Sequence, residues 1–267
     1  MAPRGFACLM YHELERQGRP LCQSEPGYVR YILAEDKFRD QMRWLQADGW
    51  RGMAVGEALD SPETSGVALS FDDGCETDLV IAAPILSETG NRATFYITAG
   101  FLGKTGYLSP AQLQELSALG FEIGCHSMTH PYLNDLDDSA LRTEIVEAKH
   151  RIEQIVGKPV EHFSCPGGRY DQRAITVART AGYRSLANSK TSLNDSSTDA
   201  FSLGRIAIMR DTDDASFRSM SRGKGLWKRQ FRDSLQNSAR TLMGNSLYDR
   251  FRASVLRDKE ITDNAAR

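Results

Sequence analysis

The strongest constraint on this 267-residue chain is a rhythm. Apolar runs of strand length alternate with helix-length segments, and residues able to do chemistry sit where the runs end. Gly5–Tyr11, Gly66–Phe71, Arg92–Thr98, Phe121–Cys125, Val160–Ser164, Tyr183–Ala187 and Leu203–Ile208 read as strands. Between them, residues 36–47 place Phe38, Met42 and Leu45 at helical spacing before Gly49, and residues 79–89 run to a stop at Gly90. Ser109-Pro110 supplies an N-cap and a first-turn proline, and Gly120 closes that helix. Asp138 or Ser139 caps a long helix to about Val156, and residues 172–181 form another before Gly182. Strands separated by helices of this length imply βαβ units, a mostly parallel sheet and an α/β class. In such folds the chemistry gathers at the C-terminal ends of the strands.

Composition narrows the reading further. Hydrophobic residues make up 40% of the chain and charged residues 25%, with a formal net charge of −2, which excludes collagen, wholesale disorder and a mainly coiled-coil chain. The apolar run Phe6–Tyr11 is too short for a signal-peptide core and has no small-residue cleavage site, so it reads as a strand. With no run near the roughly 20 residues of a membrane span, the expected location is cytoplasmic. The five cysteines, Cys8, Cys22, Cys75, Cys125 and Cys165, form no C-x-x-C pair. They read as packed, reduced thiols.

Three signals mark strand ends. Asp72-Asp73-Gly74 places two carboxylates side by side after an apolar run, which is costly unless a cation pairs with them. His126-Ser127-Met128-Thr129-His130 places two imidazoles at i and i+4, on one face of a helical turn, where they can converge on one metal ion. One Asp and two His make a sound ligand set for a catalytic zinc with an open position. Pro166-Gly167-Gly168 follows a third strand, and glycine lets backbone approach a ligand closely.

These residues resemble the polysaccharide deacetylases with a NodB-type domain. Leu69-Ser70-Phe71-Asp72-Asp73-Gly74 is similar to that family's T-F-D-D-G motif, His126–His130 with Pro131 and Leu133 to its H-S-x-T-H-x-x-L motif, and Phe163–Asp171 to its third motif. Ala93-Thr94-Phe95-Tyr96-Ile97 resembles the family's A-T-F-F-V strand, and Met10-Tyr11-His12-Glu13 resembles a Tyr-His motif of a branch acting on biofilm and capsule polysaccharides. The resemblance implies a distorted, incomplete (β/α) barrel of about seven strands over residues 1–210, followed by a basic helical extension over 211–267. It implies a divalent metal, zinc first, on Asp73, His126 and His130. Asp72 would be the general base and His12 the general acid, with Gly167, Tyr170 and Arg205 serving the oxyanion or substrate. The implied reaction is hydrolysis of N-acetyl groups on hexosamine units, in exopolysaccharide or capsule biosynthesis.

One departure bears on this. Ser164 stands where many members carry an Arg that orients the base, leaving Arg205 or Arg169 to supply the charge. Without it, the chain would be a catalytically impaired carbohydrate binder; a metal amidohydrolase of a small non-sugar amide is a further alternative. Residues 222–257 hold nine basic residues against two acidic ones. Leu226, Trp227, Phe231 and Leu235, then Leu247, Tyr248, Phe251 and Val255, recur there at helical spacing. The simpler expectation is that these apolar faces pack on the barrel, and the sharper one is contact with anionic lipid or a membrane-bound polysaccharide assembly complex. No nucleic-acid module is present in the tail.

Overall fold

The computed structural model describes residues 5–61 and 66–243, with side chains through residue 235. Seven parallel strands form an α/β half-barrel: β1 (Phe6–Tyr11), β2 (Val67–Phe71), β3 (Thr94–Ile97), β4 (Glu122–Cys125), β5 (His162–Ser164), β6 (Ser185–Ala187) and β7 (Ile206–Ala207). β1 to β6 pair in sequence order, and β7 returns to the free edge of β1 with Leu9 opposite Ile206. A single bridge, Ala187 to Leu203, joins β6 to the approach of β7, so the barrel closes only loosely there. Two short strands fill in at the N-terminal ends. Gly52–Met53 pairs with the first half of β2, and Leu193–Asn194 runs antiparallel to the first half of β1.

Strand alternation divides the buried side chains. Ala7, Leu9 and Tyr11 of β1 join the large helix-facing core, while Phe6 and Cys8 join a second cluster with Ala68, Tyr96, Ala187 and Leu203. On the helix side, Tyr11, Phe71 and Phe95 stack in a row with ring centroids 5.1 and 4.9 Å apart. This row spans the middle of the sheet and fixes the level at which the strands end.

The helices mostly follow their sequence signals. Ser109 caps Pro110–Ala118 through a reciprocal capping box with Gln112. The long helix starts one residue earlier than expected, because Asp137 and not Asp138 or Ser139 accepts the Ala140 N–H. It also widens into an i→i+5 turn over Thr143–Glu147 before continuing as Ala148–Val156.

The C-terminal helices differ more. Asp214–Ser221 buries Phe217 and Met220 in the main core, and Leu226 is buried too. The next helix, Trp227–Met243, leaves Trp227, Phe231 and Leu235 exposed at 67%, 66% and 56%. The expectation that this face packs on the barrel is therefore wrong for these three residues. The polar face packs instead: Arg229 donates to the Ala207 carbonyl at 3.1 Å, and Asp233 accepts the Thr191 N–H at 3.0 Å. Backbone groups at the barrel rim need such partners, and apolar side chains cannot supply them. Leu247, Tyr248, Phe251 and Val255 lie outside the described residues.

Gly124 marks how tightly the interior is filled. A Cβ there would sit 2.4 Å from the Tyr96 ring and 3.0 Å from the His162 carbonyl. Gly124→Ala should lower stability by about 1–3 kcal/mol, the usual range for overpacking. Urea unfolding is the measurement; an unchanged midpoint would show that the ring yields freely.

Candidate active site

The C-terminal ends of the strands open into one cleft of about 740 Å³, whose lining includes His12, Asp72, Asp73, His126, His130 and Gly167. At the end of β2 the two adjacent carboxylates diverge. Both residues are buried, and Asp73 takes a left-handed conformation (φ 82°) that few non-glycine residues adopt. Asp72 turns toward the barrel interior to meet Arg205, while Asp73 Oδ1 comes within 3.4 Å of His130 Nε2 and 3.6 Å of His126 Nε2.

The histidines converge differently from the sequence expectation. Residues 126–130 are not a helical turn but a loop with Ser127 and His130 both left-handed (φ 69° and 68°). Several hydrogen bonds hold that loop. Ala99 and Gly100 N–H groups donate to the Ser127 and Met128 carbonyls, and the His130 N–H donates to Ser127 Oγ. Glu144 accepts the N–H groups of Met128 and Thr129, both at 2.8 Å, and the Thr129 hydroxyl at 2.6 Å. Sequence reasoning passed over Glu144. Its signal was a carboxylate beside the buried stripe of Leu141, Ile145 and Ala148 on the long helix.

His126 Nδ1 lies 2.9 Å from the Ser164 carbonyl, which can only accept a hydrogen bond. Nδ1 therefore carries the proton, and the lone pair of Nε2 points at Asp73 and His130. Burial, chiefly, lowers the His126 pKa to about 4, so the ring is neutral at pH 7 as a metal ligand must be. Asp73 Oδ1 is buried without a hydrogen-bond partner among the described residues. A tetrahedral ion with bonds of about 2.1 Å needs ligand atoms roughly 3.4 Å apart. The 3.4 and 3.6 Å separations fit that requirement, and the Asp-His-His donor set suits zinc.

Arg205 is fully buried and grips Asp72 with two bonds, 2.7 Å to Oδ1 and 2.8 Å to Oδ2. The same guanidinium bonds Ser164 Oγ at 2.7 Å and the Asn188 carbonyl at 2.9 Å. Burial alone would raise the Asp72 pKa, but Arg205 overcomes it and holds the carboxyl well below the usual range. Ser164 is small enough to leave this guanidinium its place. Arg169, the other candidate, stacks over the Tyr132 ring at 3.7 Å. The structure thus places Arg205 behind Asp72, shielded from the cleft, and not where an oxyanion or substrate would touch it.

His12, at the end of β1, lies on the same rim. Its Nδ1 is buried with no hydrogen-bond partner among the described residues, and its ring packs on Tyr31 at 4.8 Å. Burial lowers its pKa against the opposing pull of Asp73 and Asp72. Gly167 is left-handed (φ 59°), and a Cβ there would press on the Tyr132 ring at 2.8 Å. The Tyr170 hydroxyl reaches Ser202 Oγ and Asn188 Nδ2 at the edge of the cleft. The other two histidines lie apart: His162 is buried against Ser185, and His150 is exposed.

Removing one partner of a buried ion pair costs about 3–5 kcal/mol, so Arg205→Met should destabilise the protein by that order at neutral pH. Asp72 is ionised in the folded protein below its unfolded pKa of about 3.9. The pair's contribution is therefore complete above that pH and is lost as pH falls through the lower folded value. The deficit of Arg205→Met should shrink as pH falls, because its unpaired Asp72 can protonate. Adding Asp72→Asn should recover part of it. Denaturant unfolding from pH 7 to pH 4 would show this; a pH-independent deficit would contradict the ion-pair account.

Residues 60–186 match the polysaccharide deacetylase family model. The peptidoglycan-N-acetylglucosamine deacetylase of Bacillus cereus is 31% identical over 121 residues, 45% of this chain and 54% of that protein. The chitooligosaccharide deacetylase of Azorhizobium caulinodans is 28% identical over 125 residues, 46% of this chain and 58% of that one. The chain thus aligns with little more than half the length of these curated relatives. Among solved structures, the Streptococcus pyogenes deacetylase PplD superposes with a TM-score of 0.72 at 22% identity, covering 82% of this chain and 99% of that one, a likeness of fold. Residues 60–186 thus resemble the polysaccharide deacetylase family, and the fold gathers the motif residues of that stretch in one cleft.

Proposed function

We propose that the chain is a metal-dependent deacetylase that removes N-acetyl groups from hexosamine units of a polysaccharide or oligosaccharide. The observation that carries this reading is the Asp73, His126 and His130 triangle beside a charged, Arg-held Asp72 in an open cleft. The names of the Bacillus cereus and Azorhizobium caulinodans relatives favour N-acetylglucosamine polymers or oligomers as substrate. The Tyr11-His12 pair favours a role in exopolysaccharide or capsule synthesis through the branch it resembles.

Asp73, His126 and His130 would hold the ion. When bound, a zinc ion supplies Lewis acidity to the acetyl carbonyl and lowers the pKa of a nearby water toward about 7. Asp72 accepts the proton of the attacking water, and Arg205 fixes the direction of its carboxylate. Backbone near Gly167 offers an N–H to the developing oxyanion; one such donor is worth about 3–4 kcal/mol. His12 gives a proton to the leaving nitrogen, which departs from an amide only when protonated. The impaired-binder alternative rested on Ser164, and the Arg205 contact weighs against it.

Acetate release from a panel of N-acetylated oligosaccharides, with and without added zinc, tests the reading. Turnover should appear with zinc and vanish in Asp73→Asn. His12→Ala should keep the metal but lose about 10²-fold or more on an amide, with a smaller loss on an activated ester whose leaving group needs no proton. Asp72→Asn should damage both substrates alike, because both need the water. Equal losses from His12→Ala on amide and ester would remove its assignment as the acid.

A peripheral association with an anionic membrane surface is favoured by one observation. Trp227, Phe231 and Leu235 form an exposed stripe on Trp227–Met243, in a segment where basic residues far outnumber acidic ones. Among the described residues no helix is long and apolar enough to cross a membrane. Replacing the three by Ser should abolish sedimentation with phosphatidylserine vesicles while leaving acetate release intact. Unchanged sedimentation would discard this surface as a lipid contact.

A further inference from the structure

A second cluster of ligand-capable side chains lies outside the catalytic set. Glu13, Cys22 and Cys75 each offer one donor atom, and these atoms all lie within 4.8 Å of one another. They come from three places that the fold brings together. Glu13 follows β1, Cys75 follows the Asp72-Asp73-Gly74 turn, and Cys22 lies on the segment between β1 and the helix Pro26–Val29.

The cluster is built, not incidental. Both Glu13 carboxylate oxygens lie 3.0 Å from the Cys22 N–H. Cys22 Sγ is 3.0 Å from the Gly106 carbonyl, and the Tyr28 hydroxyl is 3.3 Å from Cys75 Sγ. Gly106 is left-handed (φ 87°), and a Cβ there would strike Cys22 Sγ at 2.8 Å. Asp78 lies one turn beyond Cys75, its N–H bonded to the Cys75 carbonyl. It is fully buried, and neither of its carboxylate oxygens has a hydrogen-bond partner among the described residues. Burial, above all, pushes the Asp78 carboxyl well above the usual carboxylate range. Arg19, the cation that acts on Glu13, is already paired with Glu76.

Two thiols and a carboxylate whose donor atoms lie within 4.8 Å of one another, with the nearby Arg19 paired elsewhere, have the composition of a cation site. Hard ions such as magnesium and calcium take oxygen ligands, whereas thiolates select softer ones. We propose that Glu13, Cys22 and Cys75 form a second metal site, for a thiophilic divalent cation of the zinc class. Binding displaces the two thiol protons to solvent, and no electron transfer is involved. Such a site is structural. It ties the segment carrying Cys22 to the residue that follows the catalytic turn, and Gln23, Glu25 and Tyr28 of that segment line the cleft. The ion would therefore hold one wall of the cleft against Asp72 and Asp73.

Cobalt is the probe. The full-length protein, reduced and stripped of metal, is loaded with Co²⁺ and desalted. The expected result is two ions per chain by elemental analysis and an intense near-ultraviolet thiolate-to-cobalt charge-transfer band. His130→Ala should bind one ion and keep the band. Cys22→Ser should bind one ion and lose it. A wild-type cobalt protein without the band would overturn the proposal whatever the variants do. So would mass analysis of protein purified without reductant that shows Cys22 and Cys75 joined as a disulfide. Neither readout depends on deacetylase activity, so the second site and the proposed reaction can fail separately.

Discussion

The buried pair of Arg205 and Asp72 is the interaction around which the open end of the barrel is arranged. A guanidinium with no exposure must satisfy its donors internally, and it does so with Asp72, Ser164, Ser70 and the Asn188 carbonyl. Those partners come from the ends of β2, β5 and β6, so one side chain ties three strand ends into a fixed geometry. Desolvating the two charges costs several kcal/mol each, and only the bidentate contact and these added bonds offset that. The result is a carboxylate kept charged and aimed beside the Asp73, His126 and His130 triangle.

The triangle stands on strained backbone. The positive-φ non-glycine residues of the described chain are Asp73, Ser127 and His130, all in this one site. Each left-handed residue costs of order 1–3 kcal/mol and persists only where its surroundings enforce it. Here Glu144 and the backbone groups of Ala99 and Gly100 do the enforcing. Gly100 is needed for this, since a Cβ would meet the Met128 carbonyl at 2.5 Å. The strain is built into the fold, so the donor atoms of Asp73, His126 and His130 already face one another.

The same rim logic explains the C-terminal helix. The barrel mouth presents backbone groups and a cleft lined by charge, which Arg229 and Asp233 can meet. The helix therefore turns its polar side inward at the mouth. Its hydrophobic stripe is left outside, the reverse of an ordinary amphipathic helix on an apolar core.

The alternation of apolar runs with helix signals was enough to specify a parallel α/β sheet, because parallel neighbours require crossover segments of that length. The strand-end motifs were enough to name Asp72, Asp73, His126 and His130, because their residue types and positions are local. Other features were not local. Ser164 left the cation to either Arg205 or Arg169, and only the fold, bringing Arg205 against it from 41 residues on, chose between them. The i, i+4 histidines suggested a helical turn, and only Glu144 from a distant helix and the left-handed Ser127 show how they meet in a loop. Cys22 and Cys75 are too far apart in sequence for any spacing rule, yet β1 and β2 place them together. The sequence by itself determined which groups could do chemistry and which strands would end beside them. Which charge faces which carboxylate, and which face of a helix meets the rim, was decided by tertiary packing, since those energies depend on burial and distances that no local pattern encodes.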